Sequence, residues 1–174
     1  MQFKDVIGQS EIKNKLIQLV NQNRLSHALL FLGREGTGTL PLAMAFAQYL
    51  VCDKINNSST PTSSSGDLFG ESSAPNLQEE TNNHLDSCGI CSACKKAAQL
   101  IHPDIHFTFP VISGRSDKPK SADFIAEWRT FANEHPYGNL YDWLQYIKAE
   151  NKQGNISAEE CREIIKMMSL KIQS

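Results

Sequence analysis

Three cysteines stand in the spacing Cys88-x-x-Cys91-x-x-Cys94, and a fourth, Cys52, lies upstream at the end of an apolar stretch. Thiolates are soft ligands, poorly suited to Mg²⁺ or Ca²⁺. Four of them suit tetrahedral Zn²⁺ at about 2.3 Å, and a site closed by four protein ligands is structural rather than catalytic. Gly89 eases the tight turn after the first of the three. The expected metal ligands are therefore Cys52, Cys88, Cys91 and Cys94, with zinc as the ion. Iron–sulfur chemistry also uses C-x₂-C-x₂-C, but such runs continue C-x₃-C-P, and here Lys95-Lys96-Ala97-Ala98 follows Cys94. A redox C-x-x-C and inert thiols stay open, and His84 or His102 could replace one sulfur. The fifth cysteine, Cys161, sits in a helical stripe and reads as a core residue.

A second group of residues has phosphate chemistry in its spacing. Gly33-Arg34-Glu35-Gly36-Thr37-Gly38-Thr39-Leu40 follows the apolar run Ala28–Leu32 and leads into Pro41-Leu42-Ala43-Met44. Strand, glycine loop and helix is the context in which G-x-x-x-x-G-K-[ST] cradles phosphates. The pattern fits at Gly33 and Gly38 and then fails twice. Thr39 replaces the lysine that neutralises the β- and γ-phosphates, and Leu40 replaces the hydroxyl that holds Mg²⁺. The loop N–H groups at a helix N-terminus can still cradle an anion. The vestigial phosphate residues are thus Gly33, Gly36, Thr37, Gly38 and Thr39, ATP is not an expected ligand, and no residue is assigned catalysis. Should the loop still work, Lys4, Lys13 or Arg34 would have to supply the missing charge. A cleft between this loop and Val6-Ile7-Gly8 would favour nucleotide readings over a plain zinc-ribbon module.

The elements that must carry these groups follow from periodicity. Ser10 to about Asn23 reads as an amphipathic helix with Ile12, Leu16, Leu19 and Val20 on one face and Ser10 as its cap. Ala28–Leu32 reads as a parallel strand buried on both faces, and Leu40–Val51 as the next helix, where Pro41 is tolerated in the first turn. The stretch 54–86 is rich in Ser, Thr and Asn and is expected to be a disordered insertion whose base the cysteines clip. A helix from about Ser92 ends at His102-Pro103. Asp104–Pro110 alternates Ile105, Phe107 and Phe109 with polar residues, as a second strand would. After a Gly/Pro/Ser loop at 111–120 come helical patterns at Ala122–Glu134 and Leu140–Lys148, separated by the turn Pro136-Tyr137-Gly138. Their aromatic stripe reads as packing rather than a ligand box. Ser157 caps a last helix, Ala158–Leu170, with Glu160 completing a capping box.

Size and charge narrow the classes further. The chain has 174 residues, enough for one domain with a real core. Its net charge of −2 provides no global field toward nucleic acid or anionic lipid. Met1-Gln2-Phe3-Lys4-Asp5 is no signal peptide, and no apolar run approaches the roughly 20 residues of a membrane span. A cytoplasmic protein without membrane contact is expected, in which cysteines are metal ligands or free thiols rather than disulfides.

Taken in order, these pieces resemble the N-terminal part of the bacterial clamp-loader AAA+ subunits, the gamma/tau and delta-prime proteins of the DNA polymerase III holoenzyme. The resemblance lies in Phe3–Gln9, Arg24–Gly33, the glycine loop, Cys52 with the Cys88-Cys91-Cys94 knuckle, His102-Pro103-Asp104 and Ile156–Leu170. It implies a P-loop NTPase fold, an α/β RecA-like parallel-sheet core running through 1–174 and incomplete at the C-terminus. It also implies a small zinc module at 52–94 inserted after the P-loop helix. Region 111–155 has no counterpart in the family and is expected to be a helical insertion. Gamma/tau keeps the lysine and hydroxyl of the loop and delta-prime does not, so Thr39 and Leu40 point to the delta-prime type. The resemblance further implies a stator-like, non-hydrolysing subunit partnered by the gamma/tau ATPases and delta, and through the assembly by the sliding clamp and primed DNA. The family's Walker B strand, sensor, Ser-Arg-Cys arginine finger, lid and collar would lie beyond residue 174, so the chain is expected to be the first part of a longer protein.

Overall fold

The computed structural model describes residues 1–57, 85–112, 119–149 and 152–169, and its regular elements there are helical. A 3-10 turn at Phe3–Asp5 precedes α1 (Ser10–Asn21), α2 (Thr39–Leu50), α3 (Asp53–Asn57) and α4 (Ser92–Ala98). A second 3-10 turn at Ser121–Phe124 leads into α5 (Ile125–Glu134), followed by α6 (Leu140–Tyr146) and α7 (Ala158–Ser169). Most of the expected 54–86 insertion, His84, the middle of the 111–120 loop and Leu170 lie outside the described residues.

The expected α/β, RecA-like parallel-sheet core is not what these residues form. Among the described residues there is no strand and no sheet, only an isolated antiparallel bridge between Val111 and Asn155. A strand exists only when a neighbour takes its N–H and C=O groups. Neither 28–32 nor 104–110 has such a neighbour among the described residues. The first run is also not buried: Leu30 and Leu32 are 85% and 87% exposed. Apolar composition therefore indicated a buried strand where the chain forms an exposed, unpaired segment. In the second run the alternation of faces is real, with Phe109 buried and His106 and Thr108 exposed, but it serves an extended segment without a ladder.

Two hydrophobic clusters hold the helices, and α2 lies between them. Its Leu42, Ala45, Phe46 and Tyr49 join Phe3, Val6, Leu16, Ile17 and the buried Cys52 and Cys94 in the first cluster. Its Met44 faces the second, built from Phe109, Phe124, Trp128, Phe131, Trp143 and Leu144. Phe109 and Trp128 stack at 4.3 Å, and Trp143 stands edge-on to both, at 5.2 and 5.3 Å. The aromatic stripe of α5 and α6 is thus packing, as its spacing indicates. Backbone bonds between Val111 and Asn155, at 3.0 and 2.9 Å, close the chain around this cluster.

Helix ends show where local rules were overridden. The cap of α1 is Gln9, in the left-handed region at φ 57°, and Ser10 is already helical. Ser157 does cap α7, its hydroxyl accepting from Glu160 N–H at 3.2 Å. The Glu160 carboxylate, however, is buried and takes the Ser121 N–H at 3.0 Å, joining α7 to the turn before α5. Cys161 is exposed, not a core residue. The helical face it shares points outward.

Candidate metal centre and glycine loop

The fold brings Cys52, Cys88, Cys91 and Cys94 together, with their four sulfurs all within 4.8 Å of one another. Three come from helix ends and Cys88 from the turn before α4. Cys52 follows α2, where its N–H bonds the Tyr49 carbonyl at 3.3 Å, and Cys91 is the N-cap of α4. Gly89 has φ +70°, and a Cβ there would sit 2.9 Å from the Gln2 carboxamide, so glycine is required at the turn. The turn is then fixed by residues that spacing alone did not single out. Asp86 accepts the Phe3 and Lys4 N–H groups, both at 3.0 Å, and buried Gln48 donates to the Ser87 hydroxyl at 3.1 Å. Their signal was weak because a carboxylate before a cysteine run has many local uses.

Three backbone donors point at sulfur: Cys88 N–H at Cys52, Cys91 N–H at Cys88 and Cys94 N–H at Cys91, each at 3.4 Å. Such donors stabilise thiolates and orient them toward an ion. Burial pushes the Cys88 thiol up. The N–H groups of Cys91 and Ile90, with the thiols of Cys91 and Cys52, more than reverse this and bring it down to about 6. Burial raises Cys91, and burial together with the Cys91 thiol raises Cys94 strongly. Without a cation, then, the cluster carries its negative charge on Cys88, and further ionisation has to be matched by positive charge.

The donor set fits one metal ion. Four sulfurs at about 2.3 Å from a tetrahedral centre are about 3.8 Å apart, and Cys88 Sγ lies 3.9 Å from Cys94 Sγ. Sulfurs this close converge on a single ion rather than surrounding a multi-iron cluster, in which separate irons take separate cysteines. All four cysteines are free thiols, so no redox disulfide occupies the site. His102 does not join the group. Its Nδ1 accepts the Asp104 N–H at 3.2 Å. His84 lies outside the described residues.

The glycine loop forms a turn at the N-terminus of α2. Thr37 N–H and Oγ1 both bond the Arg34 carbonyl, at 3.2 and 2.6 Å. Gly36 and Gly38 have φ +74° and +88°, which side-chain-bearing residues rarely adopt. At Gly33 a Cβ would lie 2.5 Å from Thr37 Oγ1 and 2.6 Å from the Thr39 methyl. Thr39 thus folds back over the loop. Of the three cations that could supply charge, Lys13 donates its Nζ to the Val6 carbonyl at 2.5 Å, Lys4 is exposed, and Arg34, also exposed, lies within the loop and lines the cleft beside it.

Two open spaces border the loop, and neither is lined by Val6, Ile7 or Gly8. A cleft of about 200 Å³ is lined by Gly33, Gly36 and Gly38 and by Pro136, Tyr137 and Gly138. On the other flank, a groove of about 360 Å³ between α1 and residues 29–33 is walled mainly by Ile12, Leu16, Leu29 and Leu30, with no lysine or arginine.

A glycine loop starts α2 and a four-cysteine cluster lies at its other end, and comparison with known proteins gives this arrangement a context. Residues 8–79 match the family model described as DNA polymerase III, delta subunit. The chain is 26% identical over 102 residues, 59% of its length, to the DNA polymerase III subunit delta' of Bacillus subtilis. It is 41% identical over 51 residues to subunit tau of the same organism and 44% identical over 50 residues to subunit tau/gamma of Haemophilus influenzae, 29% of its length in each case. It is related to the clamp-loader subunits of DNA polymerase III. It spans 22% of the delta' relative and 9% and 7% of the two tau relatives. No solved structure matches it significantly. Among the described residues no helix is long and apolar enough to cross a membrane.

Proposed function

We propose that this chain belongs to a delta-prime-type, non-hydrolysing subunit of the DNA polymerase III clamp loader. In this reading it acts as a fixed brace in an ATP-driven assembly that places the sliding clamp on primed DNA during replication. The observation that carries the reading is the pair Thr39 and Leu40 at the end of an otherwise fitting glycine loop. Phosphoryl transfer depends almost wholly on positioning and on positive charge around the phosphates. Here the ammonium and the magnesium anchor are both missing from the loop, and Lys13 is engaged elsewhere. The 102-residue match to a delta' subunit supports the same assignment, while the matches to tau subunits are shorter.

The four cysteines hold Zn²⁺ in this reading. The ion fixes the end of α2 against the start of α4 and contributes rigidity, not chemistry. Partners are the gamma/tau ATPases and delta, with clamp and DNA reached through the assembly. Mixing the protein with those subunits tests the proposal. Co-elution of the subunits, and clamp loading that requires this chain but uses only the partners' ATP turnover, is the expected outcome. Hydrolysis by this chain alone would make it an active gamma/tau-type ATPase instead.

A further inference from the structure

We infer that the turn Pro136-Tyr137-Gly138-Asn139 is a built-in cover for the glycine loop, a second barrier to nucleotide in addition to the missing lysine and hydroxyl. The inference rests on the reading of the loop as a vacated phosphate site. It concerns a different group of residues, about a hundred positions away in sequence.

Three contacts seat the turn. The Tyr137 ring packs on Gly38, where a Cβ would lie 3.0 Å from Cε1. The Tyr137 hydroxyl accepts the Ile7 N–H at 2.8 Å, across 130 residues. Asn139 Nδ2 donates to Glu35 Oε2 at 3.2 Å, across 104 residues. Tyr137 therefore bridges the loop at Gly38 and the Val6-Ile7-Gly8 segment at Ile7, and occupies the space between them. Ile7 has a 77% exposed side chain, yet its backbone donor is occupied. On this flank what remains is the 200 Å³ cleft, smaller than the roughly 300–1,000 Å³ of ordinary small-molecule sites, while the 360 Å³ groove on the other flank is apolar and has no lysine or arginine. The Glu35 carboxylate, held by Asn139 beside the loop, sets a negative charge against that of Arg34, which lines the same cleft.

The turn is carried by rigid elements on both sides. Phe131 at the end of α5 and Trp143 in α6 lie with ring centroids 5.4 Å apart in the second cluster. Asn139 caps α6, its Oδ1 accepting the Asp142 N–H at 2.9 Å. A Cβ at Gly138 would meet Phe131 Cζ at 2.7 Å, so the turn closes tightly on its own core. The aromatic cluster thereby holds Tyr137 over the loop. Tyr137 is a positioning residue, and its effect on a ligand is through occlusion: apparent affinity falls by the fraction of time the turn is open.

The test restores the loop and then lifts its cover, in the full chain. Thr39→Lys with Leu40→Thr rebuilds the phosphate pattern, and Tyr137→Ala added to that pair opens the cleft. Titration calorimetry with MgATP should give binding at least about tenfold tighter in the triple variant than in the double. Equal affinity in the two, including no binding by either, overturns the inference. Amide exchange at Ile7 gives an independent reading should Tyr137→Ala fold poorly. The Ile7 amide should be protected in the unaltered chain and lose that protection in Tyr137→Phe, which keeps the ring and removes the acceptor. An Ile7 amide already exchanging at the unprotected rate in the unaltered chain overturns it equally. Micromolar MgATP binding by the unaltered chain would instead overturn the proposed function.

Discussion

Trp128 and Trp143 sit in one cluster, are both buried and stand edge-on at 5.3 Å, but their indole N–H groups differ. Trp143 Nε1 donates to the Pro110 carbonyl at 2.8 Å, whereas Trp128 Nε1 is buried with no partner among the described residues. Replacing each in turn by phenylalanine removes the same atoms, so the lost volume cancels to first order. The difference isolates the N–H. Trp143→Phe strands a carbonyl, and Trp128→Phe removes an orphan donor, each worth about 1–3 kcal/mol. Water reaching the half-buried Pro110 carbonyl favours the lower end, so Trp128→Phe should be the more stable variant by roughly 2–4 kcal/mol. At about 2–4 °C per kcal/mol for a chain of this size, the melting temperatures should differ by roughly 5–15 °C. Urea and thermal unfolding followed by far-UV circular dichroism would measure the gap. Equal losses in the two variants would refute the reasoning, because the arrangement of the cluster would then not depend on which indole is bonded. The outcome also bears on the site, since this cluster positions the turn over the glycine loop.

Metal analysis of the purified protein should give one zinc per chain. With free zinc a thousandfold above its dissociation constant, chelation or Cys94→Ser should cost about 4 kcal/mol, while Cys161→Ser, at an exposed thiol, should change neither zinc content nor melting temperature. Zinc affinity should rise with pH between 6 and 8. Above about 6 Cys88 is already a thiolate, while Cys91 and Cys94, raised by burial, each give up a proton on loading, so acid competes with the metal. A pH-independent dissociation constant, measured by competition with a zinc indicator, would contradict this. Glu160→Ala should destabilise the chain by about 1–3 kcal/mol in a urea melt, because the buried Ser121 N–H loses its acceptor, and Glu159→Ala on the same helix should have little effect.

Most of the helices and the cysteine cluster were legible in the sequence because each rests on local spacing, but α3 was not, since residues 54–57 were read as the start of the Ser/Thr/Asn-rich insertion while Ile55 packs into the first cluster. Apolar residues recur at helical period in α1, α5 and α7, and C-x₂-C-x₂-C needs only a tight turn to converge. Residues 28–32 misled because composition reports a preference for burial, while strand formation also requires a partner elsewhere in the chain. Cys161 misled for a related reason: a helical stripe shows which residues share a face but not whether anything covers it. Gln9 in the left-handed region displaced Ser10 as cap, a backbone choice that the side chain alone does not reveal. Least visible was Tyr137. Pro-Tyr-Gly correctly announces a turn between two helices, but its seat on Gly38 and Ile7 depends on how the aromatic cluster packs, and local patterns carry no information about contacts a hundred residues apart.

The central claim is that a loop shaped for phosphate has become a structural turn. Calorimetric titration of the unaltered protein with MgATP tests it most directly. No heat of binding in the micromolar range and no hydrolysis above background are expected. A saturable complex at micromolar nucleotide, or steady turnover by this protein alone, would contradict it.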